Sequence, residues 1–225
     1  MKKRSFRTPW AWIPTLYFAE GIPYVVAMTV SVIMYKRLGI SNADIALYTS
    51  WLYLPWVIKP LWSPVVDNLR TKRFWIVAMQ LLVGATLAGV ALTIPASDFF
   101  RYSLAFLWLL AFSSATHDIA ADGFYMLGLT KHDQAFFVGI RNTFYRLAML
   151  AGQGLLVVLA GQLENITGDL HRAWSITFFV LAALFAAFFI YHWFILPYPA
   201  EDQHRSAKGL AEVFESFAQT FISFF

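Results

Sequence analysis

Six apolar stretches, each about as long as a bilayer is thick, follow one another with only short polar breaks, and this spacing constrains the fold more than any motif. A helix needs ~20 mostly apolar residues to cross ~30 Å of hydrocarbon. The stretches cover roughly residues 10–34, 45–65, 74–94, 102–127, 136–161 and 173–196. The breaks at 36–44, 67–73, 95–101, 130–134 and 162–172 carry Gly, Ser, Asn, Asp, Pro and charged residues, which favour turns. Such short breaks force successive helices to run antiparallel. Composition agrees: 59% of the chain is apolar and 13% charged, against about 25% charged in soluble domains. The expected fold is an all-α polytopic membrane protein, a six-helix bundle over residues 1–196. The first stretch is no cleavable signal, being long and carrying Glu20, Pro14 and Pro23. The absence of cysteine excludes disulfides, thiolate metal sites and thiol nucleophiles.

Cation placement predicts orientation. One side collects Lys2, Lys3, Arg4, Arg7, Arg70, Lys72, Arg73, Lys131, Arg205 and Lys208; the other holds only Lys36, Arg37, Arg101 and Arg172. The first side, with the N-terminus, is expected in the cytoplasm. The net charge of +4 then reflects topology and calls for no nucleic-acid partner. Pro197 and Pro199 end the sixth helix, and residues 197–225 read as a linker followed by an amphipathic segment with Leu210, Val213, Phe214, Phe217 and Phe221 at helical spacing. That segment either lies on the membrane surface or leads into a seventh span, and the chain is expected to be the front part of a longer protein.

Seven titratable or charged residues fall in or near the spans: Glu20, Lys59, His117, Asp118, Asp122, Arg141 and Arg146. Six formal charges left alone would cost roughly 15–20 kcal/mol, so they must pair or face water. Depth, at ~1.5 Å per residue, matches Arg141 with Asp122, Lys59 with Asp118, and Arg146 with Glu20 or Asp118. Polar stripes at helical period reinforce the point: Glu20, Tyr24, Ala27 and Ser31; Ser114, Asp118, Asp122 and Tyr125; Asn142, Arg146 and Gln153. They line either a wet, ligand-binding interior or an internal network that only fixes packing. Glu20, Asp118 and Asp122 are candidate proton carriers. Tyr24, Lys59, Arg141, Asn142, Arg146 and Gln153 are candidate cavity residues, the arginines suited to carboxylates. Gly21-Ile22-Pro23 predicts a kink, and Ala148 with Gly152 predicts close helix contact. His117 points about 100° away from Asp118 and lacks a third ligand, so no metal site is assigned, and nothing calls for a cofactor. No nucleophile–base pair, phosphate loop or ATPase motif is present.

Three motifs carry a family resemblance: Tyr17-Phe-Ala-Glu-Gly-Ile-Pro-Tyr24; Leu54-Pro-Trp-Val-Ile-Lys-Pro-Leu-Trp62 followed by Asp67; and Ala115-Thr-His-Asp-Ile-Ala-Ala-Asp-Gly-Phe-Tyr125. With six spans and a charged loop after the second, the chain resembles the N-terminal half of a major facilitator superfamily transporter, of the muropeptide permease (AmpG-type) branch, which is related to acetyl-CoA transporters. The resemblance implies a proton-driven permease of about twelve helices that imports anhydromuropeptides across the bacterial inner membrane. It also implies partners: an anionic or glycopeptide solute, protons, lipid and a C-terminal six-helix half. Glu20, Asp118, Asp122, Arg141 and Arg146 would surround the cavity. Asp67, Arg70, Lys72 and Arg73 would form a gating loop, although Ser63 stands where the superfamily signature has glycine and the usual Gly-Arg-basic run is missing. Other readings are a carrier of acetyl-CoA or another anion, a membrane-embedded acyl transferase using His117, and a non-transporting sensor. The transferase would need His117 at an exposed helix end, whereas the sequence puts it inside a span.

Overall fold

The computed structural model describes residues 8–202. The amphipathic segment expected after residue 208 lies outside them. The first crossing, Pro9–Arg37, comprises α1 (Pro9–Val25), a π-helical turn (Val26–Val30) and α2 (Ser31–Arg37). Pro9 suits a helix start because its missing N–H has no partner there anyway. Pro23 removes a backbone donor within α1, and the expected irregularity takes the form of the π turn just beyond it. That turn offsets the helical phase, so the predicted stripe does not persist. Ala27 and Ser31 are buried, and the Ser31 hydroxyl donates back to the Ala27 carbonyl at 2.6 Å.

The second crossing is not the single helix expected over 45–65. It consists of α3 (Asn42–Thr49), a 3₁₀ turn (Ser50–Tyr53), α4 (Leu54–Ile58), a second 3₁₀ turn (Lys59–Leu61) and α5 (Ser63–Leu69). Pro55, Pro60 and Pro64 deny the i→i−4 ladder its donors at each break. Its contacts nevertheless carry it from one end of the bundle to the other. Tyr48 packs on Phe100 at one end, ring centroids 5.7 Å apart, and Asp67 pairs with Lys72 at the opposite end.

The remaining crossings are α6 (Lys72–Thr93), α7 (Phe99–Gly128), α8 (Lys131–Thr167) and α9 (Leu170–Ile195). Among the described residues five helices are long and apolar enough to cross a membrane. With the broken second crossing, the chain makes six passages. The fifth helix is longer than expected, taking in 131–135 and the predicted break at 162–167. Thr130 caps its start, accepting the Asp133 N–H at 3.2 Å. Nothing ends it before Gly168, which takes the left-handed conformation at φ 66°.

The end of the bundle that carries Trp12, Lys72, Gly128 and Pro199 is called proximal here. A Cβ on Gly128 would lie within 3.9 Å of both Trp12 and Pro199, and Lys72 meets Asp202. The distal end joins Arg37 to Glu164 in an ion pair and Tyr35 to Ser103 at 2.8 Å. One apolar cluster fills each half of the bundle: Val26, Met34, Leu87 and Phe178 distally, and Trp12, Leu16, Ile76 and Phe124 proximally. The first crossing is the most enclosed of the long helices and α8 the least.

α1 and α8 approach closely through small residues. A methyl on Gly21 would stand 2.8 Å from both the Tyr145 carbonyl oxygen and the Ala148 Cβ, and Gly152 lies directly against Val25. The sequence expectation of close contact at Ala148 and Gly152 is met. Gly21→Ala is therefore expected to destabilise the bundle by about 1–3 kcal/mol, read as an earlier thermal transition of the detergent-solubilised full-length protein. An unchanged transition would contradict this packing.

Candidate functional site

The charged residues of α1, α7, α8 and the broken second crossing converge on one side of the bundle. Asp122 sits on α7 opposite Arg141 of α8, and the guanidinium donates to Asp122 Oδ1 at 2.9 Å and to the Tyr17 hydroxyl at 3.0 Å. Tyr17 in turn donates to the same Oδ1 at 3.2 Å. The guanidinium also lies 5.0 Å from the Tyr17 ring centroid and 4.9 Å from that of Tyr125. Two π faces and a carboxylate thus replace the water that a cation loses on entering a bundle. This is the pairing that depth alone suggests.

The second pair is Lys59 with Asp118, also as expected. Lys59 opens the 3₁₀ turn Lys59–Leu61, immediately before Pro60, so the break in the crossing is where its cation is delivered. Neither pair is sealed: the Lys59 side chain is 32% exposed and the Asp122 side chain 44%. Water screens part of each attraction, so each pair contributes modestly.

Glu20 departs from expectation. It is buried, and its near neighbour is another acid: the Glu20 carboxyl lies within hydrogen-bonding reach of Asp118. Its Oε2 has no donor among the described residues. The Arg146 suggested as a partner for Glu20 or Asp118 makes no ion pair among the described residues and is exposed, as are Asn142 and Gln153. The reason is angular. Arg141 and Arg146 are five residues apart, about 140° around a helix. When Arg141 points at α1 and α7, Arg146 points out of the bundle on the uncovered side of α8.

Around Tyr24, an expected cavity residue, aromatic side chains that the sequence reading did not single out complete this face. Tyr24 makes edge-on contacts with Trp56 at 5.1 Å and Tyr53 at 6.4 Å. Tyr145 lies within electrostatic range of Glu20, Asp118, Tyr24 and Tyr53. The spacing of Tyr17, Glu20 and Tyr24 on one helix face was available as a signal for Tyr17. Tyr53 and Trp56 lie in the broken crossing, where no helical period could assign a face.

His117 belongs elsewhere. It is buried and joins a hydrogen-bonded chain through Gln80 (3.1 Å), His192 (3.0 Å) and Thr15 (3.0 Å). This chain ties α7, α6, α9 and α1 together. A histidine so enclosed cannot reach a substrate, which removes the acyl-transferase reading. No group of three His, Asp or Glu among the described residues is placed to hold a metal. In the charged loop, Asp67 pairs with Lys72, Arg70 is exposed with its guanidinium 5.6 Å from the Phe74 ring, and Arg73 folds back onto the end of α9.

Comparison with known proteins gives this geometry its context. The chain is 28% identical over 181 residues to the anhydromuropeptide permease of Escherichia coli K12, covering 75% of this chain and 33% of that protein. It is 28% identical over 138 residues to an uncharacterized protein of Schizosaccharomyces pombe (57% of this chain, 26% of that one). It is also 28% identical over 148 residues to an uncharacterized membrane protein of Saccharomyces cerevisiae (54% and 26%). The matches thus span about a quarter to a third of these relatives' lengths. The family model of the Major Facilitator Superfamily matches residues 15–225. With six helical passages and a charged face assembled from several of them, the chain belongs to the major facilitator superfamily, as a multi-pass membrane protein of a transporter family rather than an enzyme.

Proposed function

We propose that this chain forms the N-terminal six-helix half, residues 1–196, of a proton-coupled permease that imports anhydromuropeptides, or closely similar anionic glycopeptides, across a bacterial inner membrane by alternating access. The observation that carries the reading is the contact between Glu20 and Asp118 beside Lys59. Lys59 donates to Asp118, but two carboxyls facing each other have no donor between them. One proton held between them supplies the donor that Glu20 Oε2 lacks, and releasing it leaves two acids sharing one lysine. Proton loading is thereby tied to the arrangement of α1, α7 and the broken second crossing, whose contacts differ in the two states of a rocking half.

The substrate side rests on Arg146. An exposed guanidinium flanked by Asn142 and Gln153 on a bilayer-spanning helix needs an anion and polar groups to face. A glycopeptide brings carboxylates, amides and hydroxyls, and Tyr24, Tyr53 and Trp56 offer apolar faces for its rings. The name of the Escherichia coli relative favours this class. Acetyl-CoA or another anion of similar charge would also fit Arg146 and is the second reading. The least covered helix, α8, then faces a C-terminal half. The cation-rich proximal end and the N-terminus lie in the cytoplasm, with Asp67, Arg70 and Lys72 at the inner gate.

The test is uptake of labelled anhydromuropeptide by cells making the full-length protein. Uptake is expected and should collapse on adding an uncoupler; absent or uncoupler-indifferent uptake would sink the proposal. Glu20→Gln is expected to abolish the uncoupler-sensitive component, and normal coupled uptake in that variant would remove Glu20 from the mechanism. Asp122→Asn strands Arg141 and is expected to lower uptake about tenfold. Exchanging the pair, Asp122→Arg with Arg141→Asp, should restore at least folding and membrane abundance.

A further inference from the structure

The third and sixth passages hold each other by their chain ends. Asp202, beyond the end of α9, accepts the backbone N–H of Lys72 through Oδ1 at 2.7 Å and that of Arg73 through Oδ2 at 3.0 Å. The Thr71 hydroxyl accepts the Phe74 N–H at 3.1 Å, and the Thr71 carbonyl accepts that of Trp75 at 3.2 Å. Every donor that the first turn of α6 would otherwise leave open is satisfied, two of them by a residue far away in the chain. The exchange is reciprocal. Arg73 donates to the carbonyls of Trp193 and, at 3.4 Å, Leu196, where α9 runs out of partners. Its guanidinium also lies 4.0 Å from the Tyr198 ring centroid. A carboxylate at a helix start and a cation at a helix end are each the favourable sign for the helix dipole.

This joint stands next to the charged face. Lys72, whose backbone Asp202 holds, is buried, pairs with Asp67 and runs its stem across Gly123. A Cβ on that glycine would stand 2.8 Å from Lys72 Cε and 3.3 Å from Nζ. Gly123 directly follows Asp122. Glycine is a poor helix residue, and here the close approach of Lys72 accounts for it.

We infer that Asp202 is a positioning residue. By capping α6 it wedges the Lys72–Asp67 pair against α7 at Gly123, so that residues 197–202, the charged loop and the end of α7 bearing Asp122 move as one body. The consequence for Asp122 rests on the transport reading above; the mechanical claim does not.

The test uses the full-length protein in a cysteine-free background with Met126→Cys and Glu201→Cys, two residues lining the same cleft of about 270 Å³, bridged by a short bismaleimide. Bridging is expected to be near complete and to leave uptake unchanged. Adding Asp202→Ala is expected to lower the bridging yield about fivefold, the size of a lost helix cap, and to lower uptake with it. Gly123→Ala, which drives a methyl into the Lys72 stem, should lower the bridging yield and depress uptake with it. A bridged protein that no longer transports, or an Asp202→Ala protein that bridges as well as its parent, would overturn the inference. If the unmodified protein takes up nothing, the function proposed above fails, while the bridging yields still decide on the clasp.

Discussion

An ionised side chain inside a bilayer must meet an opposite charge or face water, and most of what distinguishes this bundle follows from that requirement. Arg141 is held by Asp122, by the Tyr17 hydroxyl and by two aromatic faces. Lys59 is held by Asp118. Those pairings draw α1, the second crossing, α7 and α8 toward a common side. Arg146 takes the other solution: it points away from the helices that pair its neighbour. Among the described residues Glu20 has neither an opposite charge of its own nor a donor for Oε2. On the function proposed above, Glu20 is the group that takes up and releases the proton.

Backbone irregularity delivers these side chains. A continuous helix over the second crossing would satisfy more hydrogen bonds. Its prolines instead divide it into short pieces, which bring Lys59 to Asp118 and set Tyr53 and Trp56 against Tyr24. In the first crossing, the π turn keeps Tyr17, Glu20 and Tyr24 toward the charged face while Ala27 and Ser31 turn into the core. Close contact at Gly21 and Gly152 lets α8 lie near enough to α1 for Arg141 to reach Tyr17. Irregular backbone of this kind is tolerated at membrane depth where protein or a water-filled cavity surrounds it.

Much of this was legible in the sequence, for physical reasons. Lengths and short breaks gave the passages, because bilayer thickness leaves little choice of span. Depth found two ion pairs, because charge pairing at a given level has few solutions. Depth could not say that Arg146 turns outward: that depends on the rotation of α8, set by its close contact with α1 at Gly21, Ala148 and Gly152. Nor could it foresee Glu20 meeting another acid, since pairing logic assumes opposite signs. The clasp of Asp202 on α6 escaped as well, because a cap supplied from about 130 residues away leaves no local pattern of the kind Thr71 and Thr130 supply.

On the function proposed above, the uncovered side of α8 lines an aqueous path, with Arg146, Asn142 and Gln153 facing it. The most direct measurement places single cysteines at 142, 146 and 153 in the full-length protein and exposes membranes to a bilayer-impermeant thiol reagent, with and without added anhydromuropeptide. The account predicts modification at all three positions and slower modification when the solute is present. Three unreactive cysteines, with thiols at exposed Leu155 and Val158 equally silent to water-borne reagent and open to a lipid-soluble one, would put this face in lipid and contradict the account.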